Sequence, residues 1–407
     1  MTDRLTRPVD GRVLALVRVG YGLIAAVTAL RFLTRGWVDA FWVRPVVHLT
    51  YPAAPWVSPL PGPWLHALVV AMVVLGLLIS LGWHARLMAL LWTIALTYCE
   101  LLDASTYLNH YYLLAVVGLL LAVLPTGRDV PAWAVLALRV QVACVYLFAG
   151  LAKLNGDWLL HGEPLATWLP TKADLPLAGQ LLELHGTALV ASWAGALFDL
   201  SVVPLLLWRR SRPFAYLGVV GFHVVTAVLF PIGVFPWLMG VLSLVYLPLR
   251  SAQPVTAVRR RLAPAVVVPL LALQVLLPAR SWFASGDANW SEAGFRWSWK
   301  VMLVDKAGSA EFRVRDADTG REWTVQPTSF LTSMQAQQMS TQPDLLVVGA
   351  HLLGDRLRAE GVAHPEVRVD VFVAYDGRPS QRLLDPGVDL LTVSALHASD
   401  LVLPLYG

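Results

Sequence analysis

From residue 12 to residue 279 the sequence is almost continuously hydrophobic, which is too long a run for a soluble fold to bury. Of the 407 residues, 57% are hydrophobic and only 14% are charged, a composition typical of a membrane protein with several spans. Residues 281–407 differ, because they hold alternating polar stretches, turns and most of the acids. We therefore predict a polytopic α-helical membrane domain over residues 1–280 and a β-rich α+β domain over residues 281–407.

Nine apolar runs come close to the roughly 20 residues that a helix needs to cross a bilayer. They cover residues 12–33, 64–83, 86–103, 108–125, 131–152, 188–208, 213–231, 232–249 and 262–279. The stretch 213–249 is the least regular, since Pro231, Gly233 and Pro236 indicate a tight loop or a broken helix within it. About nine transmembrane helices place the two termini on opposite sides of the membrane.

Basic residues are divided unequally between those two sides. With a cytoplasmic N-terminus, twelve arginines occupy the inner segments, whereas the outer loops hold only Arg35, Arg44 and Lys172 besides Lys153. Positive charges concentrate on the cytoplasmic side of membrane proteins, so we predict that the C-terminal domain is extracytoplasmic. The net charge of +4 follows from this bias and indicates no nucleic-acid partner.

The C-terminal domain shows the periodicity of strands. The stretches EFRVRDA, TGREWTVQP and VRVDVFVAY alternate with period two, and TG and DG pairs mark turns. Between them, across residues 331–360, apolar residues recur at helical spacing. We predict strands around a helix, and a cover over the membrane site.

Two kinds of polar residue interrupt the apolar spans. Arg139 and Asp199 lie at similar distances from the inner ends of their helices, so we predict that they form a buried structural ion pair. A second set lies at or near the outer helix ends, beneath two Trp-rich loops over residues 34–63 and 154–187 that can cover the bundle. It comprises Glu100, Asp103, Asn109, His110, Lys153, Asn155, Asp157 and His161, together with His223, which lies about midway along its span or further out.

Lys153 follows an apolar helix and precedes an Asn-Gly-Asp-Trp turn. Burial disfavours an ammonium and yields a free amine near neutral pH, which is a general base. Beside an Asn-His pair and next to lipid, such a base suits proton removal from an amphipathic phenol such as a quinol. The histidines lack the spacing of a zinc helix, so we predict no metal.

Several segments resemble the vitamin K-dependent gamma-glutamyl carboxylase family, whose membrane part is the HTTM domain. The most specific is AGLAKLNGDW, from Ala149 to Trp158. The others, in the family's order, are LNHYYL, the Arg139 helix, GFHVVTAVLFPIGVF, NWSEAGFRWSWKVML and RVDVFVAYDGRPSQRLLDPGVDL. The resemblance spans both predicted domains.

This resemblance implies roles for individual residues. Lys153 stands at the catalytic base that deprotonates the vitamin K hydroquinone, and Asn109 and His110 match the pair that holds the quinone ring and assists the base. His223 matches a motif histidine of a later span. The oxygenated quinol removes a γ-proton from a substrate glutamate, CO2 adds to the carbanion, and the quinol leaves as the epoxide. The glutamate is expected near Trp290, Phe295, Ser298 and Trp299.

The sequence also departs from the family. Val304 replaces a basic or imidazole side chain of the animal enzymes, with Lys306 nearby. This chain stops soon after DPGVD, whereas the animal enzymes continue and bind a propeptide in their further residues. The composition, rich in Ala, Val and Arg, indicates a bacterial cell membrane, where menaquinol is the available quinol. Two alternatives stay open: a quinol epoxidase or oxidase without a peptide substrate, and a non-catalytic membrane protein that binds a quinone.

Overall fold

The structure is a computed structural model, and it describes residues 5–176, 178–248, 262–284 and 286–406. A short strand, β1 (Pro8–Asp10), pairs antiparallel with β2 (Asp129–Pro131). This pairing fixes the beginnings of helices α1 (Arg12–Thr34) and α5 (Ala132–Ala152) at the same end of a helical bundle. We call this the Arg18 end, and we call the opposite end, where α5 stops, the Lys153 end.

The other bundle helices follow in chain order. They are α2 (Gly62–Leu81), α3 (Ala85–Leu102), α4 (Asn109–Val123), α6 (His185–Leu207), α7 (Arg212–Leu229), α8 (Phe235–Ser243) and α9 (Leu262–Ala279). Among the described residues, seven helices are long and apolar enough to cross a membrane, namely α1, α2, α3, α5, α6, α7 and a segment from Ala265 to Phe283 that includes most of α9. The chain is therefore a multi-pass membrane protein.

Two of the nine predicted spans are shorter than a full crossing. Helix α4 has 15 residues, or about 22 Å at 1.5 Å per residue, against roughly 30 Å of hydrocarbon. It still joins the two ends of the bundle, because Asn109 at its start contacts Lys300 and its last turn accepts hydrogen bonds from Arg86 of α3. Helix α8 and the turn after it reach only to Tyr246. The number nine therefore stays a prediction.

Small residues and prolines explain local features of the bundle. A Cβ on Gly22 would lie 2.7 Å from the backbone oxygen of Gly76, so α1 and α2 can pack this closely only because both positions lack a side chain.

The irregularity predicted within 213–249 is a tight turn: α7 ends at Leu229, Gly233 has a φ of +63°, and α8 begins at Phe235.

The predicted Arg139–Asp199 ion pair is wrong. Arg139 donates hydrogen bonds to the backbone oxygens of Val245 and Leu247, whereas Asp199 accepts one from Lys153. The prediction assumed that the inner ends of α5 and α6 lie at one depth. Gly150 instead packs against Leu200, and counting residues from each inner end shows that α6 is displaced by about 16 Å toward the Lys153 end.

The C-terminal domain is a four-stranded antiparallel sheet with helices on one face. Its strands are β3 (Lys306–Asp316), β4 (Glu322–Val325), β5 (Pro365–Tyr375) and β6 (Gln381–Arg382), in the spatial order β4-β3-β5-β6. Alternate residues of β5, including Val367, Val369 and Val371, are buried, as the period-two pattern predicts. The helix predicted across 331–360 is present as two helices, α10 (Ser333–Met339) and α11 (Pro343–Ala359).

The sheet domain is fastened to the Lys153 end of the bundle. Leu49 and Tyr51, from the first Trp-rich loop, belong to the same hydrophobic core as the sheet. Asp103, directly after α3, is fully buried and accepts hydrogen bonds from the Leu49 backbone, from Ser105 and from Gln335 of α10. Since a buried carboxylate needs such partners, Asp103 fixes the domain in position over the bundle.

Candidate functional site

Lys153 is the first residue after α5, and its side chain is buried between α5 and α6. Nζ lies 2.8 Å from Asp199 Oδ2 and 3.2 Å from the Ala149 backbone oxygen, and Lys153 is only 6% exposed. The ammonium also lies 5.1 Å from the ring centroid of Trp158, within the range of a cation–π contact. The structure therefore surrounds the Lys153 ammonium with a carboxylate, a backbone oxygen and an aromatic ring, and sequence analysis did not identify the carboxylate partner.

A cavity of about 220 Å³ lies directly beside this pair. Its walls are mainly aliphatic and aromatic side chains from α5, α6, α7 and α8, with Lys153, Asp199, Tyr146 and His223 among a few polar groups. A mostly apolar cavity with a small number of placed polar groups is the usual form of a binding site for a small organic molecule. We call it the Lys153 cavity.

Tyr146 and His223 form a second polar pair on the wall of the Lys153 cavity. Tyr146 Oη and His223 Nε2 are 2.9 Å apart, and Ser243 Oγ lies 3.3 Å from the same hydroxyl. His223, which sequence analysis singled out through its motif, therefore lines the cavity, whereas Tyr146 was not identified. The sequence could have indicated Tyr146, because it precedes Lys153 by seven residues and therefore lies two turns away on the same face of α5.

The second Trp-rich loop covers the Lys153 cavity, which agrees with the predicted cover. Asn155 Oδ1 accepts a hydrogen bond from the Trp158 backbone N–H at 2.9 Å, and Trp158 Nε1 donates to the Ser192 backbone oxygen of α6 at 2.7 Å. Beyond this turn, Leu165 and Leu169 line the cavity. The NGDW sequence after Lys153 is therefore a turn that brings an aromatic ring over the ammonium and starts the cover.

Asn109 and His110 do not line the Lys153 cavity. The His110 ring lies beside Gly233, 3.2 Å from where a Cβ would be, and the neighbours Ile232 and Phe235 of that turn line the cavity. Asn109 Nδ2 donates to the backbone oxygen of Lys300 at 3.1 Å. The structure thus places His110 behind a turn that lines the Lys153 cavity, and Asn109 against the backbone of Lys300.

Lys300 lies between two further cavities under the sheet domain. One, of about 290 Å³, is lined by Asn109, Phe295, Lys306 and Arg296 among others, and we call it the Lys300 cavity. The other, of about 200 Å³, is lined by Ser298 and Asn289 among others. Lys300 Nζ donates to Asn289 Oδ1 at 2.8 Å. Burial lowers the pKa of Lys300 to about 8, because removal from water disfavours the ammonium.

Met302 joins the Lys153 cavity to the Lys300 cavity, since it lines both. The backbone around it is unusual: Glu292, Trp297, Trp299 and Met302 all have φ between 51° and 60°. For residues other than glycine this conformation costs about 1 kcal/mol or more each, and it persists only where the surroundings impose it. Such strain clusters at functional sites.

The four residues predicted near the glutamate have different surroundings. Phe295 lines the Lys300 cavity and Ser298 lines the cavity beside Asn289. Trp290 and Trp299 are 2% and 0% exposed, so both belong to the packed core. Trp290 Nε1 donates to the Leu403 oxygen, and the Trp299 ring packs on Tyr112 with centroids 5.0 Å apart. The two tryptophans therefore stabilise this segment by packing in the core.

The remaining polar residues of the predicted set do not converge on one point. Asp157 pairs with Arg378 of the sheet domain at 2.6 Å, and His161 is exposed. Asp103 fastens the domain, as described above, and Glu100 Oε1 is buried without a hydrogen-bond partner among the described residues. Only Lys153 and His223 of the nine line the Lys153 cavity. The outer rim thus combines one candidate site with several contacts between domains.

Comparison with known families covers nearly the whole chain. The profile of the HTTM domain matches residues 6–250. The profile described as the vitamin K-dependent gamma-carboxylase, lumenal domain, matches residues 259–406, which indicates that the C-terminal domain is not cytoplasmic. No solved structure matches the chain. The two domains, in this order around a buried lysine, support a gamma-carboxylase-like activity in general terms, and the chain belongs to the vitamin K-dependent gamma-carboxylase family.

Proposed function

We propose that this protein couples the oxygenation of a naphthoquinol by O2 to the addition of CO2 to the γ-carbon of a glutamate residue. The observation that carries the proposal is the buried Lys153–Asp199 pair on the wall of an apolar cavity. Vitamin K hydroquinone and menaquinol are the candidate quinols, with menaquinol in a bacterial cell membrane. Once deprotonated and oxygenated, the quinol supplies the strong base that glutamate γ-carboxylation requires.

The arrangement of polar groups supports a flat ring with an oxygen at either side. Lys153 and Tyr146 lie on one face of α5 and are about 10 Å apart along the helix. Lys153 acts with Asp199, and Tyr146 acts with His223, while aromatic and aliphatic side chains line the space between the two pairs. In this proposal the Lys153 pair receives one quinol hydroxyl, and the Tyr146–His223 pair holds the opposite oxygen.

Asp199 changes how Lys153 can work as a base. An ammonium bound to a carboxylate has no lone pair with which to accept a proton. In this proposal one proton passes from Nζ to Asp199 Oδ2 when a bound quinol displaces water from the pair, which leaves a neutral amine and a carboxylic acid. The amine then takes the quinol proton. We therefore assign the base to the Lys153–Asp199 pair.

Asn109 and His110 keep a role in this proposal as positioning residues. His110 supports the turn that carries Ile232 and Phe235, and Asn109 holds the backbone of Lys300. Each therefore fixes a segment that lines a cavity. The catalytic role that the resemblance implied for His110 becomes an effect on the shape of the Lys153 cavity.

The glutamate is proposed to bind in the Lys300 cavity. Its carboxylate is paired with the Lys300 ammonium, and its γ-carbon faces Met302, through which the two cavities adjoin. Phe295 lines the same cavity, with its ring centroid 5.3 Å from Lys300 Nζ. Lys300 is therefore the charged group that sequence analysis missed. Its signal was a lysine inside the apolar WSWKVML stretch.

A specific observation favours the second candidate function, quinol epoxidation without a peptide substrate. The other cations of the Lys300 cavity already have acidic partners: Lys306 pairs with Glu292 and Arg296 pairs with Asp344. These pairs leave Lys300 as the one cation lining the cavity without a carboxylate partner among the described residues. A cavity with its charge largely neutralised attracts an acidic peptide less strongly.

The test measures two products in one reaction. Purified protein receives a reduced naphthoquinone, O2 and labelled bicarbonate, with and without a Glu-rich peptide. Epoxide together with label in the peptide supports carboxylation, and epoxide without label supports the second candidate. Tyr146→Phe, which keeps the ring and removes the hydroxyl, should raise the KM for quinol. If wild-type protein forms no epoxide with any naphthoquinol, the proposal fails and quinone binding alone remains.

A further inference from the structure

A cavity of about 460 Å³ lies at the Arg18 end of the bundle, away from Lys153. It is formed by the first turns of α1 and α3 and by residues at and beyond the ends of α2 and α4. It shares no lining residue with the Lys153 cavity. None of the proposed chemistry uses it, so it needs an explanation of its own.

Two guanidinium groups line this cavity, and no Asp or Glu is among its lining residues. Arg18 donates to the backbone oxygens of Ile79 and Ser80 at the end of α2. Arg86 donates to the oxygens of Ala122 and Val123 at the end of α4, at 2.9 and 3.3 Å. Both arginines thus cap the negative ends of helices.

Capping the two helix ends leaves most of the positive charge of Arg18 and Arg86 unneutralised among the described residues, and it leaves several of their N–H groups without an acceptor there. A guanidinium has five N–H groups, and each of these two uses only two of them on carbonyl oxygens within the described parts of the chain. Arg18 and Arg86 form no ion pair with any described residue. Two such cations at the edge of a membrane domain are stabilised by an anion that carries several acceptor oxygens.

The aliphatic side chains that line the cavity indicate that the ligand also contains a hydrocarbon part. Leu14, Leu87 and Leu121 line the cavity, and Leu87 is 51% exposed on the outer surface of the bundle. An anion with an attached hydrocarbon therefore finds both arginines and aliphatic side chains in this cavity. We propose that this cavity binds a phosphate group, carried either by the headgroup of an anionic phospholipid or by inorganic phosphate.

The experiment uses the purified full chain in detergent and counts bound lipid by native mass spectrometry. Phosphatidylglycerol is compared with phosphatidylcholine of the same acyl chains. Two arginines near a headgroup contribute about 1 kcal/mol each, which corresponds to a preference of about 10- to 30-fold for the anionic lipid. Inorganic phosphate is titrated in a second arm, where a rise in Tm and displacement of phosphatidylglycerol indicate free phosphate as the ligand.

Arg18→Gln and Arg86→Gln should abolish the preference. Arg210→Gln is the matched control, because Arg210 is an exposed arginine in the loop between α6 and α7 and does not line the cavity. Since both cavity arginines also cap helices, Ala15→Phe tests the site separately: Ala15 lines the cavity, so a phenyl ring takes up space in it and leaves both guanidiniums in place.

The outcomes are distinct. Loss of the preference in Ala15→Phe, with Arg210→Gln equal to wild type, supports the site even if the cavity arginine variants fold poorly. If wild-type protein binds both lipids equally and phosphate does not raise its Tm, the proposal is overturned. An Ala15→Phe variant that keeps the wild-type preference overturns it as well.

Discussion

At the scale of single residues, Lys153 and Asp199 are expected to stabilise one another as a unit. Lys153→Met leaves a carboxylate that is 6% exposed without its cation, which should cost about 3–5 kcal/mol of unfolding free energy. Lys153→Met combined with Asp199→Leu removes both charges, so Tm should recover while quinol oxidation stays absent. Thermal unfolding in detergent and epoxide formation measure the two effects.

Arg139 provides a control for the corrected pairing of Lys153 with Asp199. Because Arg139 binds backbone oxygens near Tyr246 and Asp199 binds Lys153, the effects of Arg139→Gln and Asp199→Asn should add. The effects of Lys153→Met and Asp199→Asn should not add. Strong coupling between Arg139 and Asp199 would restore the pairing that the sequence predicted.

Lys300 gives the proposed peptide reaction a pH dependence. Burial lowers its pKa to about 8, so the ammonium is present below pH 8 and is lost as the pH rises above it. A carboxylate binds only the ammonium, and the KM for a Glu-rich peptide should rise about tenfold for each pH unit above 8. Lys300→Met should have a high KM that does not vary with pH.

Two comparisons decide whether that pH effect belongs to Lys300. Lys172→Met changes a lysine of the covering loop that lies outside the Lys300 cavity, and it should keep the wild-type pH profile. Epoxide formation without peptide should be equal in Lys300→Met and wild type. A Lys300→Met variant whose peptide KM still rises with pH would assign the titration to another group.

At the scale of elements, the carboxyl end of β5 meets the covering loop through a cluster of carboxylates. The pKa of Asp376 is raised to about 7, mainly by burial and also by the nearby Asp157 and Glu163 carboxylates, although the Asp305 N–H and Arg378 act to lower it. Because the folded pKa exceeds the reference value of 3.8, the native state binds the extra proton between pH 3.8 and 7. Stability therefore falls as the pH rises through this window.

Asp376→Asn should remove that loss. Asn keeps an oxygen for the Asp305 N–H, which Asp376 accepts at 2.7 Å, and it tolerates the φ of +45° at this position. We expect the variant to be more stable than wild type at pH 8 by about 1–3 kcal/mol, and the gain to shrink toward pH 4. A variant with the wild-type slope of Tm against pH would contradict this.

The sequence predicted the helices and strands better than it predicted the contacts between them. Apolar periodicity located the helices and strands, and Gly233 with its flanking prolines located the turn before α8. The offset between α5 and α6 was not predictable, because it depends on which small residues pack together, here Gly150 against Leu200. That offset decided the partner of Asp199. For the same reason the sequence identified Lys153 and His223 but not their partners, which lie on other helices or two turns away.

At the scale of the whole molecule, the two ends of the bundle differ in how their charged groups are covered and paired. The Lys153 end is covered by the sheet domain, and its buried charges, Lys153 and Asp103, have partners that exclude water. The Arg18 end has no such cover among the described residues, and its arginines lie in a cavity that the exposed Leu87 also lines. This asymmetry agrees with a reaction on the outer side and contact with anionic headgroups on the inner side.

The orientation of the molecule can be tested with single cysteines. Both native cysteines, Cys99 and Cys144, are buried, so a membrane-impermeant maleimide should not label them in the folded protein. Ala317 is exposed at the turn after β3, and Arg210 is exposed between α6 and α7. Because arginines concentrate on the cytoplasmic side and the lumenal-domain match includes Ala317, Ala317→Cys should be labelled in intact cells. Arg210→Cys should be labelled only after the membrane is opened, and the reverse pattern would place the Lys153 cavity on the cytoplasmic side and refute the predicted topology.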